Sequence, residues 1–159
     1  MNILQIDENL RLYSPKKEDW NIALKWYSNP DILYFSEGIP YDNNKTYDMN
    51  IITNMYTYLS KIGMLFFIQI KENDQWISIG DATCAKDNMP IMISDKKYWG
   101  LGIGKKVLTK LIEIAKENDI HKVNVEIYKY NERSHRLYTS LGFVKISEDE
   151  KSNYYELNI

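Results

Sequence analysis

Cysteine occurs once in this 159-residue chain, at Cys84, so no disulfide can form within it. Covalent cross-linking is excluded as a source of stability, and a lone thiol suits a reducing compartment. Cys84 sits in a largely apolar run, where it reads as a small buried hydrophobe rather than a nucleophile. Histidine is almost as scarce. His121 and His135 are the only two, and no Cys/His cluster has metal-ligand spacing, so no metal site is expected. Long apolar runs are missing as well. The purest, "MLFFI", is far short of the roughly 20 residues that span a bilayer. The N-terminal "MNILQIDENL" carries acids early and does not resemble a signal peptide. Nor is there an excess of positive charge: 20 Lys and Arg against 22 Asp and Glu leave a formal net charge of −2. That argues against bulk nucleic-acid binding, which wants a basic face. The expected setting is cytoplasmic, with a small-molecule partner, no nucleic acid and no membrane; a homodimer is compatible with the sequence.

What remains is an ordinary balance for one globular domain over residues 1–159. "LRLYSP" reads as a first strand. Ser14 and Pro15 then offer an N-cap and a first helical residue for a helix carrying Trp20, Leu24 and Tyr27 at helical spacing. "PDILYFSEGIPYDNN" reads as a turn-rich connection, and "KTYDMNIITNMYTYLSKIG" as a second helix that stops at Gly63. Two strands follow around a polar turn at Asn73-Asp74, then the short buried strand "MPIMIS". Ile103, Val107, Leu108, Leu111, Ile112 and Ala115 make one apolar helical face. A strand, "HKVNVEIYKY", leads to a short helix from Asn131 to Gly142, and two strands close the chain. This order predicts an α+β fold: a mixed, largely antiparallel sheet of six or seven strands flanked by about four helices.

Only seven glycines are present, and three of them stand on alternate positions, Gly100, Gly102 and Gly104, in "YWGLGIGKKVL". Glycine lets a loop backbone approach an anion, and the first N–H groups of the following helix have no internal partner. A strand, a glycine loop and a helix therefore make a phosphate site; the plainer alternative is a tight turn that needs positive φ. Lys105 and Lys106 oppose the helix dipole, a small cost that a polyanionic ligand would offset. A P-loop is ruled out by Trp99 and Lys106, which stand where it needs Gly and Ser or Thr. A G-x-G-x-x-G dinucleotide fingerprint fails at Lys105 and at Val107, although Glu126 lies near the offset of its ribose acid.

Together with "NERSHRLYTSLGF", this stretch resembles the GNAT superfamily of acetyl-CoA-dependent N-acetyltransferases. Gly100, Gly102 and Gly104 match its pyrophosphate loop, Arg/Gln-x-x-Gly-x-Gly/Ala, with Trp99 in place of Arg or Gln. Asn131, Tyr138 and Leu141-Gly142-Phe143 match its Asn, Tyr and Leu-Gly-Phe element. The resemblance implies that acetyl-CoA is bound by Met92, Ile93 and Ser94 on the preceding strand. It implies further contacts from Trp99, Gly100, Leu101, Gly102, Ile103, Gly104 and Lys105 of the loop, and from Asn131 and Tyr138. By the same resemblance Tyr138 is the acid beside the departing thiolate and Glu126 the base, with Glu37 and Asp81 as rival bases.

By the same resemblance the segment from Ser28 to Tyr58, rich in acids and tyrosines, lines the acceptor pocket, with Tyr34, Phe35 and Glu37 as its binding residues. Acids among aromatics suit a cation. The implied activity is direct acetyl transfer to a primary amine of a small cationic molecule. The alternatives are acetylation of a protein N-terminal α-amine, a non-catalytic acyl-CoA-binding module and, more distantly, a nicotinamide enzyme.

Overall fold

The computed structural model describes residues 2–159. A nine-residue strand, β3 (Met64–Glu72), lies at its centre, bonded to β2 (Leu10–Tyr13) on one side and β4 (Gln75–Cys84) on the other. Its apolar run is buried on both faces. Phe66, Ile68 and Ile70 join one core with Leu10 and Leu12, while Leu65 and Phe67 turn to a second core. Alternation along a strand requires this split, and it explains why "MLFFI" shows no polar face. Asn73 and Asp74 both have positive φ, the conformation of the two-residue turn that suits the twist of a hairpin. β1 (Ile3–Asp7) adds an outer strand that the sequence pattern did not reveal, because neither of its faces is fully buried. β5 (Ile91–Ile93) pairs with β4 and completes a five-stranded antiparallel sheet.

The remaining strands form a separate three-stranded antiparallel sheet in the order β6 (Lys122–Tyr128), β8 (Ser152–Asn158), β7 (Val144–Glu148). The α+β class is as expected, but eight strands in two sheets replace one mixed sheet of six or seven. The crossover from β5 to β6 gives no parallel pair: the two strands are not bonded to each other, and the sheets part between them. α4 (Ile103–Glu117), with Val107, Leu108, Leu111 and Ala115 fully buried, and α5 (Glu132–Ser140) cover one face. α1 (Ala23–Trp26), α2 (Pro30–Glu37) and α3 (Met49–Ile62) supply Trp26, Ile32, Ile52 and Tyr56 to the core on the other. Among the described residues, no helix is long and apolar enough to cross a membrane.

Two further expectations are corrected. The first helix does not start at Ser14, whose N–H is bonded to the Asn2 carbonyl. A 3-10 turn over Lys17–Ile22 precedes α1 instead, anchored by Asp19, whose carboxylate accepts from the Lys16 amide and the Tyr13 hydroxyl. The "PDILYFSEG" stretch is the helix α2 and not a connection. Asn29 caps it through a 3.0 Å bond from the Asp31 amide, Pro30 opens it, and Gly38, at φ 69°, stops it. The same residues that signal turns also punctuate short helices.

Gly80 governs how closely β5 can sit. A Cβ there would stand 1.9 Å from the Met92 carbonyl oxygen. Gly80 also follows a bulge, where Ile79 is the extra residue between the Gln69–Ser78 and Ile68–Gly80 pairs. Gly80→Ala is expected to push β5 off the sheet and cost about 1–3 kcal/mol. Chemical denaturation checks this, and an unchanged midpoint would refute the close approach.

Candidate active site

The gap between the sheets starts from a backbone constraint. Within the β4–β5 pair, Thr83 N–H donates to the Pro90 carbonyl and Ser94 N–H to the Ile79 carbonyl. Antiparallel bonding alternates, so Pro90, Met92 and Ser94 direct their backbone groups to β4, while Ile91 and Ile93 direct theirs away from it, to the free edge. The Ile93 carbonyl accepts the Trp99 indole N–H at 3.0 Å. Two cavities open there. The larger, about 320 Å³, runs between β5 and β6 and reaches Phe35 and Glu37 of α2 and Asp81 of β4. The smaller, about 180 Å³, is lined by Gly100, Gly102, Ile103, Gly104 and Lys105. Ile91, Ile93, Trp99, Arg133, Ser134 and Tyr138 line both, so the two share a wall.

The glycine loop has a two-part explanation. Gly100 and Gly102 have φ of 74° and 82°, which L residues rarely adopt, and nothing stands within 4 Å of where their Cβ atoms would be. Gly104 is different: its Cβ would meet Leu137 of α5 at 3.2 Å, so it allows the two helices to pack closely. The first helical amide to find a carbonyl is that of Lys106, bonded to Gly102, so the amides of Ile103, Gly104 and Lys105 lack a helix partner. Lys106 is paired at 2.7 Å with Asp7, which removes it from the loop. Lys105 has no ion-pair partner among the described residues.

A ladder of tyrosines pins α2 across the larger cavity. Tyr34 stacks on Tyr41 at 4.5 Å and on Tyr130 at 4.1 Å, and Tyr130 stacks on Tyr128. The Tyr130 hydroxyl donates to the Tyr34 carbonyl, and the Asn131 amide donates to the Phe35 carbonyl at 3.3 Å. Asn131 also caps α5, its Oδ1 accepting from Ser134 N–H. Docked in this way, α2 directs Glu37 into the cavity. Burial pushes the Glu37 carboxyl up to about 7, Asp81 adding to the rise; the Tyr47 hydroxyl, donating at 2.7 Å, pulls the other way. Asp81 is buried and pushed up to about 6 by desolvation, against the hydroxyls of Tyr27 and Tyr56, both donating to its Oδ2 at 2.7 Å.

Most of the sequence-derived candidates converge. Met92, Ile93, Trp99, Asn131, Tyr138, Glu126, Phe35 and Glu37 all line the larger cavity. Glu126 lies on the face opposite Val125 and Ile127, as alternation required, and accepts the Ser152 hydroxyl at 2.6 Å. Tyr138 is buried, its hydroxyl donating to the Met89 carbonyl at 2.5 Å and pushed well above the usual phenol range by that burial. Three candidates stand apart. Tyr34 lies inside the tyrosine stack and lines neither cavity; Ser94 commits its amide to Ile79; Leu101 is 65% exposed at the loop tip. Sequence reasoning passed over Arg133, Ser134, Tyr27 and Tyr128. Of these only Arg133 carried a signal, as a cation inside "NERSH". Cys84 is buried and its thiol pushed up to about 11 by desolvation, which keeps it inert.

The sequence profile of the Acetyltransferase (GNAT) family matches residues 53–143, which holds the loop, β5, β6 and α5. The chain belongs to the GNAT acetyltransferase family. As a member it is an acetyltransferase with acetyl-CoA as its acyl donor. Solved structures share the fold. A domain from Methanocaldococcus jannaschii is 23% identical, covering 96% of this chain and 100% of that one, with a TM-score of 0.82. The spermidine N-acetyltransferase from Vibrio cholerae, solved with CoA and spermine, is 13% identical, with 96% of each chain covered and a TM-score of 0.73. The ribosomal-protein-S5-alanine acetyltransferase from Vibrio fischeri is 14% identical over 99% of this chain and 97% of that one, with a TM-score of 0.65. No curated protein matches the chain significantly in sequence.

The residues present fit a CoA diphosphate at this GNAT loop: two left-handed glycines with open space before them and a run of unpaired amides behind. Gly102→Val would set a branched Cβ in that space and strain a backbone at φ 82°. Acetyl-CoA is expected to raise the Tm of the wild type and NADH to leave it unchanged, and the variant is expected to lose the acetyl-CoA shift. Differential scanning calorimetry reads both, and a shift with NADH alone would overturn the fit.

Proposed function

We propose that this chain transfers the acetyl group of acetyl-CoA directly to a primary amine of a small cationic molecule, both being bound at once. The observation that carries the reading is Glu37, a carboxyl held on the wall of the larger cavity beside the aromatic side chains of Tyr27, Phe35 and Tyr128. A partly buried acid among π faces is a good receptor for an ammonium group and a poor one for an uncharged molecule. The acyl donor supplies a thioester, activated for attack by an amine. The loop amides and Lys105 hold its diphosphate, and the free edge of β5 adds the peptide-like pantetheine as an extra strand. An N–H on that edge also faces the carbonyl oxygen as negative charge develops on it.

An ammonium with pKa near 10 must lose a proton before attack, and Glu126, exposed on β6 and lining the cavity, takes it directly or through water. Tyr138 serves the departing thiolate by a hydrogen bond. With its hydroxyl pushed above the ordinary range, complete proton transfer is uphill, and stabilising the developing charge is the cheaper course. To do so the hydroxyl exchanges the Met89 carbonyl for the sulfur.

Glu37 makes a pH signature. Its folded pKa, about 7, lies above its ordinary value of 4.5, so the folded chain holds a proton that the unfolded chain has lost. Its contribution to stability therefore falls as pH rises from about 4.5 through 7, and a bound ammonium offsets the loss by favouring the ionised form. The KM for the amine is expected to fall about tenfold between about pH 6 and 8 in the wild type. Glu37→Gln is expected to show a high KM with no such step. Release of CoA is measured against polyamines, aminoglycosides and short N-terminal peptides. Turnover of peptides alone, indifferent to Glu37, would defeat the small-amine reading and leave the family assignment intact.

Tyr138→Phe removes the hydroxyl and little else. A fall in kcat of about 10–10³ is expected with near-normal CoA affinity. Stability should drop by about 1 kcal/mol, since the Met89 carbonyl loses its donor. Unchanged turnover in the folded variant would return Tyr138 to packing alone.

A further inference from the structure

Arg133 has no role in the acceptor chemistry just described, yet its setting is unusual. It stands in the first turn of α5, with its guanidinium carbon 3.4 Å from the centre of the Trp99 ring. The ring is itself fixed by its N–H to the Ile93 carbonyl. One terminal nitrogen of Arg133, Nη1, is closed to solvent and finds no acceptor, and no carboxylate pairs with the side chain among the described residues. A half-buried guanidinium in this state is costly; the Trp99 face offsets part of that cost, but no protein acceptor or carboxylate among the described residues offsets the rest. Burial lowers its pKa accordingly.

An anionic ligand would supply the missing partner, and the two ends of the channel differ in what they admit. The acceptor end carries Glu37, Asp81 and Glu126, which repel an anion. The loop end carries the unpaired amides after Gly102 and the ammonium of Lys105, which attract one, and Arg133 lines that cavity too. We propose that Arg133 is a ligand of the diphosphate of acetyl-CoA, held ready against Trp99 to close over the anion from the α5 side while the loop amides bind it from the α4 side. A planar guanidinium stacked on an indole keeps few rotamers, so little order is lost when it binds, and its fork suits phosphate oxygens as a lysine does not. The inference rests on acetyl-CoA as donor and is independent of which amine is the acceptor.

Binding measurements test it without turnover. CoA, dephospho-CoA, which lacks the 3′-phosphate, and pantetheine, which lacks every phosphate, are titrated calorimetrically into the wild type, R133M and R133K, pantetheine by displacement. Circular dichroism and Tm confirm that each variant is folded, and R133Q replaces R133M if that variant is not. R133M is expected to weaken CoA and dephospho-CoA alike, by about 10- to 100-fold, and to change pantetheine by less than about twofold. R133K is expected to recover part of the loss. A shallower salt dependence of CoA binding in R133M would accompany it. Equal weakening of all three ligands would mean that Arg133 acts by packing Trp99, and overturns the proposal. So does a loss confined to CoA, which points to the 3′-phosphate, and so does unchanged binding of all three.

Discussion

A β-strand exposes hydrogen-bonding groups on two edges, and a strand at the edge of a sheet pairs only one of them. β5 satisfies one. Its other edge faces a space where β6 would lie if the sheet were continuous. α4 and α5 pack closely on each other, with Gly104 against Leu137. The candidate site gathers along that edge. The cavities open along it, Ile91 and Ile93 present backbone groups to it, and the loop that follows β5 turns its amides toward the same channel. β5 is a three-residue edge strand, and its unpaired backbone groups suit a peptide-like ligand that adds as a further strand.

The second constraint is aromatic. Thirteen tyrosines in 159 residues are many, and the structure uses them as donors to buried acids as much as for packing. Tyr27 and Tyr56 hold Asp81, Tyr47 holds Glu37, and Tyr27 stacks on Tyr47 at 5.5 Å to tie the two pairs together. Carboxyls raised toward neutrality by burial are kept in place by hydroxyls, which can serve either protonation state. Arg133, stacked on Trp99, is the opposite charge handled in the opposite way: no protein acceptor, a rigid aromatic support and a cavity in front.

What was legible in the sequence was local. The apolar stripe of α4 and the alternation that places Glu126 opposite Val125 and Ile127 follow from periodicity, the turn at Asn73-Asp74 from its polar residues, and all stand in the structure. Local rules are ambiguous at three places. Asn29, Pro30 and Gly38 mark a helix as readily as a turn, and α2 has only eight residues, too few for periodicity to decide. Ser14 offers a cap to a helix that begins later, because its amide is drawn into a bond with Asn2. β1, an outer strand without a fully buried face, has no alternation to detect.

The sequence by itself determined the loop. Gly100 and Gly102 are required where the backbone turns left-handed, and the helix behind them presents its amides whatever else surrounds it. Only the tertiary structure decided what meets that loop. Glu37 reaches the channel because Tyr34 stacks on Tyr130, 96 positions away in the chain, and Arg133 reaches Trp99 because α5 packs on α4 across Gly104. Contacts at such separations leave no periodic trace, since each partner's neighbours follow the rules of their own helix or strand. The burial that raises the Glu37 and Asp81 carboxyls arises only once those elements have closed around them.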